Sequence, residues 1–198
     1  MAESLLVASA LQPAQGEWTY DDYLRLPDDG RRYEIIEGVL YVTNAPNADH
    51  QFCVTEAGSE LRNFVKSHKL GRVLVAPFEV HLAPRTRPVQ PDILFVRQER
   101  WPKGHVPFFS GAPDLIVEVI SPGSVRTDRV IKFTAYELAG VQEYWLINPH
   151  TRTVEVYTWS NGEYALLGEF TGDQQLQSVV LAGIEIVASS LFYAEPTE

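Results

Sequence analysis

The stretch GAPDLIVEVISP, Gly111 to Pro122, decides how this chain is read. Its centre, Asp114 to Ile120 (DLIVEVI), is the most apolar strand in the sequence, and prolines stand on both sides of it. Glu118 breaks the pattern. With side chains alternating along a strand, it shares a face with Asp114, Ile116 and Ile120. An ionised carboxylate in such a strand is costly unless it is paired, hydrogen-bonded or bound to a metal.

A second strand upstream repeats the anomaly. Pro91 to Val96 is PDILFV, and Asp92 falls on one face with Leu94 and Val96. Two carboxylates on neighbouring strands repel and shift each other's pKa. A divalent cation between them removes both difficulties, and hard oxygen ligands suit Mg²⁺, or Mn²⁺ in its place. Each acid alone also has a purely structural reading, Asp92 as a strand-end cap and Glu118 as the partner of an arginine.

Downstream, SPGSVRTD (Ser121 to Asp128) is a short return from the Glu118 strand to a helix, Thr127 to Ala139, closed by Gly140. Asp128, Lys132 and Tyr136 recur at i, i+4 and i+8 on one face of it. Spacing alone leaves Lys132 on a solvated face, ion-paired to Asp128. The brevity of the connection brings the helix start back towards the strand end, within reach of Glu118.

The rest of the chain supplies an α/β frame, bordering on α+β, with a mixed sheet. Thr19 to Leu26 reads as a short helix capped by Thr19. Arg32 to Thr43 is a hairpin turning at Glu37-Gly38. Asp49 to Lys69 is a longer helix, Val73 to Leu82 a strand, and Arg97 to Pro113 a loop. Glu143 to Ile147 is a strand. A C-terminal β-meander follows, with Thr153–Trp159 and Glu163–Phe170 joined at Asn161-Gly162 and a last strand pair over Val179–Val187. The expected organisation is a flexible leader over 1–17, a single domain over 18–193 and a tail over 194–198.

Composition bounds the function. The chain has 198 residues, 45% hydrophobic and 21% charged, which suits a globular domain with a real core. It contains no apolar run long enough to span a bilayer. A single cysteine, Cys53, allows neither an internal disulfide nor a cysteine zinc cage, in keeping with a reducing cytoplasmic setting. Net charge is −10, from 16 Lys+Arg against 26 Asp+Glu, which argues against binding nucleic acid by bulk charge but leaves room for a local basic groove. Arg85 and Arg87 in PRTRP, with Arg126 and Arg129 near Lys132, are the best phosphate-binding candidates. Each of the four also reads as an ordinary surface arginine.

QPDILFV, GAPDLIVEVISP, the helix bearing Lys132 and Tyr136, and AGVQEYWLINP together resemble the Uma-type restriction endonuclease family of the PD-(D/E)XK nuclease superfamily. YEIIEG (Tyr33 to Gly38) and Asn44-Ala-Pro ending at His50 resemble its earlier blocks, and the likeness runs from about Thr19 to Phe192. The resemblance implies a restriction-endonuclease-like core with a mixed central sheet flanked by helices. It implies Mg²⁺-dependent hydrolysis of phosphodiester bonds, in DNA, and a homodimer where both strands are cut. Asp92 and Glu118 stand for the acidic pair, with the backbone carbonyl of Val119 as a further metal ligand. The usual lysine lies two residues after the glutamate, but Ile120 is there and Lys132 takes its part. Glu34 resembles an additional N-terminal acid, and a hairpin-surface role weighs equally for it. Tyr136 would assist Lys132, and Glu79 is an optional metal ligand. His50, Gln90, Arg126 and Arg129 would contact substrate. A nuclease-fold binding or regulatory module without turnover is the competing reading.

Overall fold

A computed structural model describes residues 12–43 and 45–193. The expected leader lies largely, and the expected tail wholly, outside the described residues, as does Asn44. Within them lies a six-stranded mixed sheet built from β3 (Gly71–Val75), β5 (Ile93–Arg97), β7 (Leu115–Val119), β8 (Glu143–Asn148), β9 (Thr153–Ser160) and β10 (Glu163–Thr171). Their order across the sheet is β10-β9-β8-β7-β5-β3. Within this sheet, among the described residues, only β7 and β8 pair in parallel. A parallel pair needs a crossover, and the segment supplying it begins with a π-helical turn, Thr127–Lys132. It continues as α3, Phe133–Ala139.

Alternation along the strands sorts the core into two layers. Ile93, Phe95, Leu115, Val117 and Val119 pack with Cys53, Ala57, Leu61 and Val65 of the long helix α2 (Ala48–Ser67). The opposite face, with Leu94, Val96, Ile116 and Ile120, packs on Tyr136, Val141 and Tyr144. That second face is also covered by the hairpin β1 (Arg32–Ile36) and β2 (Val39–Thr43) and by a small parallel pair, β4 (Glu79–His81) with β6 (Phe108–Ser110). Glu37 and Gly38 both take positive φ at the hairpin turn, the backbone demanded when two residues join two right-twisted strands. The short first helix α1 (Tyr20–Tyr23) is closed at its start by a capping box between Thr19 and Asp22.

Three expectations change. The run Val73–Leu82 is two strands in two sheets, because Pro77 has no N–H for a ladder and ends β3. Val179–Val187 forms no strand pair. It wraps the α2 layer as turns, burying Leu181, Ile184 and Ile186, with one bridge from Val187 to Gln175. The loop after Arg97 contains β6. The meander strands β9 and β10 form the outer part of the main sheet. Gly16 and Trp18 both donate to the Gly38 carbonyl, at 2.8 and 2.9 Å, which ties the start of the described chain to the hairpin.

Candidate active site

Antiparallel pairing of Ile93 with Val117 sets Asp92 opposite Glu118 at one end of the sheet. The crossover returns the helix over that same end. The Lys132 ammonium lies 2.9 Å from Glu118 Oε1, and the Tyr136 hydroxyl donates to the same oxygen at 2.6 Å. One helical turn thus places two donors on one carboxylate. The ammonium also lies 3.1 Å from Glu34 Oε2, presented by β1. The other Glu34 oxygen accepts the Gln90 backbone N–H at 2.6 Å. All four of these side chains are buried.

Asp92 is held differently. Oδ1 accepts from Arg32 at 2.9 Å; Oδ2 accepts the Val119 backbone N–H at 2.9 Å and lies 3.0 Å from His50 Nε2. His50 stands in the first turn of α2, which Asn47 caps through the His50 N–H. Its other ring nitrogen, Nδ1, is buried and has no partner among the described residues. The cleft above these groups has a volume of about 360 Å³. Arg32, Glu34, His50, Asp92, Glu118, Val119, Asp128 and Lys132 all line it, together with the Ser121–Ser124 turn.

Burial alone would raise every carboxyl here, and the partners decide the outcome. For Asp92, desolvation is overcome by the His50 hydrogen bond and the Arg32 charge, which hold it well below the usual carboxylate range. For Glu118 burial wins: despite Lys132, desolvation and the repulsion of Asp92, Asp128 and Glu34 push it well up. Asp128 is pushed up to about 6 by burial, against the pull of Lys132 and Ser124. Lys132 is buried as deeply, yet Glu118 and Glu34 keep it charged.

The charge count bears on a divalent cation. Glu34, Asp92, Glu118 and Asp128 face two permanent cations, Arg32 and Lys132, so two negative charges are uncompensated when the acids are ionised and His50 is neutral. Among the described residues, no three His, Cys, Asp or Glu side chains converge as a ready-made ligand set. Mg²⁺ does not require one, since it commonly keeps several waters and takes one or two carboxylates. Oxygen donors whose ionised forms outnumber the neighbouring cations fit such an ion.

The structure gathers Glu34, His50, Asp92, Glu118, Val119, Lys132 and Tyr136, and leaves four expected residues outside the cleft. Glu79 accepts from Tyr20 and Tyr23 on α1, at 2.9 and 3.0 Å, in the small β4–β6 pair. Gln90 is buried beneath the cleft, with its backbone holding Glu34. Arg129 forms a two-pronged ion pair with Glu155 on β9. Arg126 is exposed and does not itself line the cleft. Arg32 and Asp128 also line the cleft, and the sequence does not single them out for it. Arg32 carried no signal, since its role depends on β1 crossing the end of β5. Asp128 was visible at i−4 from Lys132 but read as that lysine's surface partner.

A mixed sheet carrying an acidic pair at one strand end, completed by a lysine from the crossover helix, defines a restriction-endonuclease-like nuclease fold. The Uma2 family, described as "putative restriction endonuclease", matches residues 20–189, and the chain belongs to that family. A solved structure, a "putative nuclease belonging to DUF820" from Anabaena variabilis ATCC 29413, is similar at 25% identity with a TM-score of 0.75. The match covers 88% of this chain and 97% of that one. No curated protein matches. No helix among the described residues is long and apolar enough to cross a membrane.

Proposed function

We propose that this protein is a Mg²⁺-dependent endonuclease that hydrolyses phosphodiester bonds in DNA. The observation that carries the reading is the convergence of Asp92, Glu118 and the Lys132 ammonium on one cleft, with Lys132 2.9 Å from Glu118. Family membership supports the phosphodiester chemistry. Asp92 and Glu118, with the backbone carbonyl of Val119, would hold the ion, whose charge polarises a phosphate and makes water more acidic. Lys132 keeps its proton at Nζ beside Glu118 and Glu34, so it offsets negative charge developing on the phosphate. Tyr136 fixes the rotamer of Glu118 through its hydrogen bond. Arg32 and His50 hold Asp92 ionised from the other side.

The test is plasmid cleavage with and without Mg²⁺. Asp92→Ala should abolish metal-dependent cutting, and a variant that cuts as well as the parent places the chemistry elsewhere. One observation favours a second reading, a nuclease-fold binding module without turnover. Both Asp92 oxygens already have protein partners in Arg32, His50 and the Val119 N–H. That reading predicts no heat of Mg²⁺ binding in calorimetry and no cutting by the parent.

A further inference from the structure

The proposed reaction carries an electrostatic difficulty. The chain has net charge −10, and its cleft holds more acids than cations, so neither draws a polyanion in. The candidate arginines do little to offset this, since only Arg126 stands exposed next to the cleft-lining Thr127. Arg129 is paired with Glu155, Arg85 donates to the Gly16 and Glu37 carbonyls, and Arg87 lies over the Tyr20 ring.

At the other end of the sheet the balance reverses. Arg62 and Lys66 on α2, Lys69 just beyond it and Arg72 on β3 line one groove of about 530 Å³ with Gln98. All four cations are exposed, and none forms an ion pair among the described residues. Arg62 and Lys66 stand at i, i+4, where like charges repel and weaken a helix. The α2 C-terminus compensates Lys66 and Lys69 in part, but it does not account for Arg62 or for Arg72 on the strand. Among the described residues, no acidic side chain lines the groove.

We propose that this groove is a second phosphate-binding site, which holds the backbone of the nucleic acid cut at the cleft. The proposal rests on the nuclease reading. Helix α2 sets the distance: His50 lies at its cleft end and Lys66 at its groove end, sixteen residues or about 24 Å apart. With one phosphate per 3.4 Å of strand, that is about seven phosphate steps. A short duplex meets one site only, and a long one reaches both.

The experiment measures duplex binding by fluorescence anisotropy in metal-free buffer, where cutting does not interfere. The duplexes are about 6 and about 20 base pairs long, across a salt series. Arg62→Gln, Lys66→Gln, Lys69→Gln and Arg72→Gln are combined in one variant. Affinity for the long duplex should fall by about tenfold or more, and the salt slope should become shallower by about 3–4. The short duplex, which the metal-free acidic cleft does not draw in, should meet the groove alone, bind the parent weakly and lose that binding in the variant. A control combining Arg25→Gln, Arg31→Gln and Lys103→Gln, whose charges lie elsewhere, should keep the long-duplex affinity. Equal loss in the control, or an unchanged slope in the groove variant, overturns the proposal. Cleavage by the parent is scored separately. A parent that cuts, with a silent groove variant, sinks the groove alone; a parent that binds through the groove without cutting sinks the nuclease reading alone.

Discussion

Glu118 is a buried acid held by two donors of different kinds, an ammonium and a phenol, and they should behave differently when removed. Lys132→Met leaves Glu118 and Glu34 buried without their counter-charge, so about 3–5 kcal/mol of stability should be lost in urea unfolding at neutral pH. The cost should shrink in acid, where Glu118 takes up a proton instead. Tyr136→Phe removes one charge-assisted hydrogen bond and should cost about 1.5–3 kcal/mol. Asp128 has the opposite sign. Its carboxyl is raised from 3.8 to about 6, so its favourable contribution is present below pH 3.8 and is lost as pH rises through 6. Asp128→Asn should therefore stabilise the metal-free protein at pH 7, on the order of 2–3 kcal/mol, and make no difference near pH 3. Urea midpoints for parent and variant across that range check it.

At the scale of elements, the site depends on strand ends being in register. Gly71 opens β3 against Arg97 of β5, and a Cβ there would stand 2.1 Å from the Val96 carbonyl oxygen. Backbone cannot swing aside as a side chain does, so Gly71→Ala should force the β3 end off the sheet. A loss of about 1–3 kcal/mol, read as a lower thermal midpoint, is expected. The crossover from β7 to β8 is the decisive element. Its π-helical turn and α3 deliver Lys132 and Tyr136 to one carboxylate oxygen, and Tyr144 on β8 anchors the turn by donating to the Asp128 carbonyl at 3.0 Å. The sequence revealed that these segments are a strand, a short return and a helix. It did not reveal the π turn, which keeps the apolar pattern of an ordinary helix. The Pro77 break is legible as chemistry, but the apolar run on either side of it carries the pattern of one continuous strand. The final segment misled in the other direction: Leu181, Ile184 and Ile186 are apolar because they close the α2 layer, and burial without regular pairing leaves the same pattern as a strand.

For the whole molecule, charge is the organising quantity. Four buried acids gather at the cleft, and at the far end of α2 stand four cations without an ion-pair partner among the described residues. Mg²⁺ binding at the cleft would act on the folded state only, so saturating Mg²⁺ should raise the thermal midpoint. At one hundred times the dissociation constant the gain is about 2.7 kcal/mol. Glu118→Gln should abolish that gain, and a variant stabilised as much as the parent would locate the ion elsewhere.

The sequence by itself determined the two acidic strands, the helix that follows them and the β9–β10 hairpin, because periodicity and proline placement are local properties of the chain. It also marked Asp92 and Glu118 as anomalies, since an apolar strand carries an acid only for a reason. Tertiary structure alone decided the partners. Arg32 reaches Asp92 across sixty residues, Glu34 meets Lys132 from a separate hairpin, and Arg129 turns away to Glu155. Whether a charged side chain is a site residue or a surface one depends on which strand ends the fold brings together, and that is set by long-range pairing.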